Sequence, residues 1–129
     1  MVRKVLAVAL SVVLSLLVAV QPADAAAPSC PSGSFCIWPV HDHSSGRCSW
    51  SNADADWQTA PVVCSWAATR PVQYLYNNGT SSSYAGVCIY IGANYSRPSS
   101  WASQGQYYGI LGGGDFLRSH RWLSSDDSC

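Results

Sequence analysis

The chain has 129 residues, with seven Lys or Arg balanced by seven Asp or Glu, so its formal net charge is zero with neutral histidines. That balance leaves no basic footprint for nucleic acid and no polybasic patch for lipid. Only 11% of residues are charged while 12% are aromatic, and with abundant Ser and Gly this predicts an all-β chain.

Residues 1–27 read as a secretory signal peptide. Arg3 and Lys4 form a positive start, and Val5–Val20 is apolar apart from Ser11 and Ser15. Gln21-Pro22 breaks the run, and Ala23-Asp24-Ala25 and Ala25-Ala26-Ala27 are small-x-small cleavage sites. Sixteen residues is short for a membrane span, so the expectation is a secreted, extracellular protein with no membrane association. Residues 28–129 then suffice for a single domain. Without Arg3, Lys4 and Asp24 the balance is five arginines against six aspartates, with no Lys and no Glu.

All six cysteines lie after the leader, at Cys30, Cys36, Cys48, Cys64, Cys88 and Cys129. An even number in an exported chain predicts three disulfides, and no Cys-x-x-Cys pair suggests a metal. Six cysteines allow fifteen pairings. The pairing preferred here is Cys30–Cys36, Cys48–Cys64 and Cys88–Cys129, and a loop of the second size contributes about 3 kcal/mol by chain entropy.

In chain order, the expected strands are Phe35–Val40, Gly46–Trp50, Val62–Trp66, Val72–Tyr76, Gly86–Ile91, Ser99–Ser103, Tyr107–Leu111 and Leu117–Leu123. Within them Val72, Tyr74 and Tyr76 share one side, as do Val87, Ile89 and Ile91. Asn52–Ala60 has room for one helical turn, with Ser51 or Asn52 as cap and Pro61 as stop. Turns fall at His43-Ser44-Ser45-Gly46, Asn77-Asn78-Gly79 and Gly112-Gly113-Gly114-Asp115.

A weak internal repeat runs through these strands. Cys36-Ile37-Trp38 matches Cys88-Ile89-Tyr90 at an offset of 52, Ser49-Trp50 matches Ser100-Trp101 at 51, and Trp57 matches Tyr108 at 51. Tyr74-Leu75-Tyr76 falls against His120-Arg121-Trp122 at 46. Their consistent order predicts two four-stranded units, about 35–77 and 86–123, packed as a Greek-key sandwich of about eight antiparallel strands.

The block from Ala27 to Trp38, Ala-Pro-Ser-Cys-Pro-Ser-Gly-Ser-Phe-Cys-Ile-Trp, resembles the mature N-terminus of the streptomycete metalloproteinase inhibitor family of actinobacterial peptidase inhibitors. Tyr76–Thr80 followed by Cys88–Tyr95 is similar to that family's mid-chain signature, and Leu117–Trp122 to its last strand. The resemblance implies a βγ-crystallin-like double Greek key and inhibition of a secreted thermolysin-type metalloproteinase by a monomer, with no cofactor. It also points to the loop after the second-repeat strand: Asn94, Tyr95, Ser96, Arg97, Pro98, Ser99, Ser100 and Trp101. The family's loop is clamped by a local disulfide, whereas Asn94–Ser103 contains no cysteine. Such proteases favour a bulky apolar residue after the scissile bond, which makes Trp101 the expected anchor and Tyr95 the reserve.

Other chemistries find less support. A crystallin-type calcium site would draw on Asp115 and Ser119, too few oxygens for a cage, so no metal is expected. His41, His43 and His120 are candidate metal ligands by type, but the first two sit in a polar turn. No Gly-x-Ser-x-Gly elbow, no Glu for glycosidase work and no phosphate-binding glycine loop is present. An enzyme is therefore not expected. The alternative is an aromatic-rich binding module for carbohydrate or a cell-surface ligand, which exposure of Trp50, Trp57 and Trp101 would favour.

Overall fold

The computed structural model describes residues 26–129; all but the last two residues of the expected leader lie outside them. Seven strands form two antiparallel sheets. They are β1 (Ser34–Trp38), β2 (Cys48–Trp50), β3 (Tyr74–Asn78), β4 (Gly86–Tyr90), β5 (Pro98–Ser103), β6 (Tyr107–Gly109) and β7 (Ser119–Leu123). One sheet has the order β2-β1-β3-β6 and the other β5-β4-β7. The expected eighth strand, Val62–Trp66, is absent: Cys64 is tied to Cys48, and a 3-10 turn at Ser65–Ala68 takes over. Asn52–Ala60 holds no helix but one isolated bridge, Asp54 to His120.

Disulfides join Cys30 to Cys36, Cys48 to Cys64 and Cys88 to Cys129. They fasten the N-terminal segment to β1, β2 to the segment before the 3-10 turn, and the last residue to the centre of β4. The strands β1 and β4 are buried along their whole lengths. Each is flanked by strands on both sides, which is why near-continuous apolar runs persist there. In β3 the inward residues are Leu75 and Asn77, with Tyr74 and Tyr76 facing out. Val72 precedes that strand and is buried where it bridges Asp115. Ile91 lies beyond β4 and is exposed.

Register refines the repeat. β1 and β4 align at the offset of 52 read from the sequence. Phe35 pairs with Trp50 whereas Val87 pairs with Ala102, so the counterpart of Trp50 is Ala102 and not Trp101. A one-residue slip puts a side chain on the opposite face, and Trp50 and Ala102 are indeed both buried while Trp101 is half-exposed. Likewise Ile37 pairs with Leu75 and Ile89 with His120. His120 therefore stands at the core position that Leu75 fills in the other sheet. Tyr108 pairs with Leu75 as Asp54 bridges His120, so a short segment of each half crosses to the sheet of the other, and Trp57 is no counterpart of Tyr108.

One core joins the sheets, built from Phe35, Ile37, Trp50, Trp57, Leu75, Val87, Ile89 and Leu117. A histidine here is tolerable only with its nitrogens satisfied. Trp57 Nε1 donates to His120 Nδ1 at 2.9 Å. An indole N–H is only a donor, so the imidazole proton sits on Nε2, which donates to Asn52 O at 3.1 Å. Phe35 and Trp50 rings close over the imidazole at centroid distances of 4.9 and 5.2 Å.

Burial lowers the pKa of His120 from 6.5 to about 3. Because the folded value is depressed, the neutral ring's stability is fully present above pH 6.5 and drains away as pH falls toward 3. Urea unfolding across this window should show stability falling by roughly 1.4 kcal/mol per pH unit. A flat profile between those limits would mean that the imidazole is solvated.

Candidate functional site: a self-braced loop

The connection from β4 to β5 is short and bound at its base. Ile91 N donates to Arg97 O and Gly92 N to Ser96 O, each at 3.0 Å. Within it Asn94, Tyr95 and Arg97 have φ of 55°, 57° and 55°. Asn tolerates this left-handed region, but Tyr and Arg adopt it at a cost of about 1 kcal/mol or more each. Such a backbone persists only where its surroundings hold it.

Those surroundings come from three places. The Ser119 hydroxyl at the start of β7 donates to Gly92 O at 2.6 Å and accepts from Tyr95 N at 3.3 Å. Asn94 N donates to Ala55 O at 2.7 Å, from the segment crossing over from the other half. Ser96 Oγ donates to Ala93 O at 2.8 Å, closing the turn on itself. Tyr95 is half-buried, its ring 5.7 Å from that of Tyr90 and beneath the Arg121 guanidinium at 5.3 Å. Arg121 Nε in turn donates to Tyr90 Oη at 2.8 Å.

The crossing segment is itself pinned. Asp54 and His120 exchange backbone hydrogen bonds at 3.0 Å, and Trp57 N donates to Arg118 O at 2.9 Å. Arg118 grips Asp56 with two parallel bonds of 3.0 and 2.9 Å. That hydrogen-bonded guanidinium holds the Asp56 carboxyl below the usual aspartate range.

The eight residues singled out from the sequence do not form one loop. Asn94, Ser96, Arg97, Pro98 and Ser99 are exposed, but Pro98–Ser103 is strand β5. Trp101 lies in that strand opposite Cys88, its Nε1 donating to Ser103 Oγ at 3.1 Å. Its ring covers Gly86, leaving no room there for a Cβ. Of the tryptophans whose exposure would favour a binding face, Trp50 and Trp57 are core.

The candidate metal ligands are dispersed. His120 is in the core, His43 packs on Trp38 and Tyr74, and His41 lies beside Gly109 of β6. Asp115 is bound through its backbone to Val72, and the Ser119 hydroxyl is engaged by the loop. Among the described residues no group of three or more His, Cys or Asp is placed to hold a metal ion. The sequence reading also passed over Leu111 and Phe116, which are 90% and 56% exposed around Gly112-Gly113-Gly114. The available signal was a large apolar residue followed directly by three glycines, where no strand can continue to bury it.

The model of peptidase inhibitor family I36 matches residues 23–103. This chain belongs to that family. No curated protein and no solved structure matches it. The match runs from residue 23 through β5 and so includes the braced loop, both of its flanking strands and the crossing segment. Family members are inhibitors rather than enzymes. Among the described residues no helix is long and apolar enough to cross a membrane.

Loss of the Ser119 hydroxyl should free the loop without unfolding the sheets. Ser119→Ala strands the Tyr95 N–H and the Gly92 carbonyl, at about 1–3 kcal/mol. Hydrogen exchange should then speed up tenfold or more at Tyr95 and stay unchanged at Val87 and Ile89. Equal rates at Tyr95 in both proteins would show that the hydroxyl is no brace.

Proposed function

We propose that this chain is a secreted, monomeric inhibitor of a thermolysin-type metalloproteinase, and that the braced loop after β4 is the part inserted into the protease cleft. Family membership carries the inhibitor half of this reading. The crossed connectivity supports two Greek-key repeats within a single domain over residues 28–129, and we read residues 1–27 as a leader lost on export.

Rigidity supports the choice of loop. An inhibitor segment ordered in advance spends little conformational entropy on binding. In place of a local disulfide this loop has Ser119, Ala55 and its own Ser96. Its backbone is not that of an extended substrate, because three positive φ values preclude regular β-pairing along a cleft. The action we infer is that of a fixed plug. Asn94, Tyr95, Ser96, Arg97 and Pro98 form its tip, with exposed Ile91 beside it. Ser99, Ser100 and Trp101 stiffen it from β5. With the Trp101 ring committed to Gly86, the anchoring role passes to Tyr95, already oriented by Tyr90 and Arg121.

A second contact is favoured by one observation, the 90% exposure of Leu111. Leu111 has the side-chain chemistry that such proteases take after the scissile bond, but three glycines beside it make the segment costlier to order. Inhibition assays with the oxidised protein against thermolysin-type, serine and cysteine proteases separate these readings. Tyr95→Ala should weaken inhibition of the metalloproteinase roughly thirtyfold, the loss of a buried aromatic anchor, and Leu111→Ala less than threefold. The reverse ranking would transfer the contact to residues 110–116. Absence of inhibition of any metalloproteinase would overturn the target class.

A further inference from the structure

At the opposite end of β4 from the braced loop, the ends of the two sheets leave an open depression of about 200 Å³. Gly33, Asn77 and Gly79 border it from one sheet, and Gly86 and Trp122 from the other. None of its lining residues is charged. Phosphates, carboxylates and cations would find no counter-charge there, so the ligand chemistry it suits is neutral.

Its surface has two characters. Tyr84 and Trp122 supply an aromatic wall, with ring centroids 6.2 Å apart and planes inclined at 36°. Trp122 reaches its place because residue 79 is glycine: a Cβ there would stand 2.5 Å from the indole ring. Tyr84 is 44% exposed and contributes the open part of that wall. The facing side is amide and hydroxyl. Asn77 is fully buried and fixed, its Nδ2 donating to Ala102 O at 2.8 Å and its Oδ1 accepting from Gly79 N at 2.9 Å. Gln104 Nε2 donates to Gly79 O at 2.5 Å, which aims the side chain and leaves Oε1 without a partner among the described residues. The Thr80 hydroxyl and the Asn52 amide, also in the lining, have no hydrogen-bond partner among the described residues.

We infer that this depression binds one ring of a neutral saccharide, either free or at the end of a glycan. A pyranose has an apolar C–H face to lay on aromatic rings and a rim of hydroxyls that both donate and accept. A wall of that kind, opposed to neutral hydrogen-bonding groups, matches both features. The volume admits a single ring, with the chain of any longer glycan running outward past Tyr84. Because this site and the loop lie at opposite ends of β4, saccharide binding is independent of the inhibitor reading.

Titration of isotopically labelled oxidised protein with glucose, galactose, mannose and N-acetylglucosamine, each to tens of millimolar, tests this by amide chemical shifts. At least one sugar should give saturable shifts clustered at Gly33, Gly79, Thr80, Gly86 and Gln104. Tyr84→Ala, at an exposed position where folding is not at stake, should weaken that sugar at least tenfold, and Gln104→Ala should weaken it as well. Gln58→Ala, remote from the depression, should leave the affinity unchanged. No saturable shift with any of the four sugars, or shifts that survive Tyr84→Ala, would overturn the assignment.

Discussion

The hydrogen bond from Trp57 to His120 holds together the part of the molecule on which the rest depends. A buried imidazole in place of a leucine is a liability unless each nitrogen has a partner. Here the partners are Trp57 and Asn52, both from the segment that leaves the first half and crosses to the second sheet. Satisfying the histidine thus requires the crossing, and the crossing brings Asp54, Ala55 and Asp56 to β7 and to the loop after β4. A leucine at position 120 would pack more simply, but it would leave Trp57 Nε1 without its acceptor and remove one reason for the crossing segment to stay.

From that tie the loop acquires its shape. Ala55 accepts from Asn94, Asp56 holds Arg118, and the Ser119 hydroxyl bonds Gly92 and Tyr95. Left-handed Tyr and Arg residues are then maintained by hydrogen bonds distributed over three chain segments. A disulfide clamp would do this with one covalent link. The polar brace does it with groups that are each weak, and its strength lies in their number and partial burial. The salt bridge of Arg118 with Asp56 is half-exposed and contributes less than its bidentate geometry suggests.

Much of this was readable from residues alone. The cysteine positions and the Cys-Ile-Trp and Cys-Ile-Tyr echo indicated two central buried strands at the right spacing. What escaped lies beyond letter matching and strand propensity. The Ser-Trp match placed Trp101 where Ala102 belongs, because identity of letters outweighed the alternation of faces. The third strand of the first half shrinks to a single bridging residue, Asp54, too short for any propensity to mark. His120 read as a ligand by type, whereas its neighbours Phe35, Trp50 and Trp57 arrive from distant parts of the chain. Positive φ at Tyr95 and Arg97 has no signature in sequence, since neither residue favours it and tertiary hydrogen bonds impose it. For the same reason the brace at Ser119 was invisible, a serine among many.

The central claim is that the braced loop is the surface that meets a protease. Hydrogen exchange of the oxidised chain, free and mixed with a thermolysin-type metalloproteinase, tests it most directly. The account predicts new protection concentrated at residues 91–98, with the Gly86 end of β4 and the Gly112–Gly114 segment exchanging as in the free protein. Protection confined to residues 110–116, or none anywhere in the presence of the protease, would contradict it.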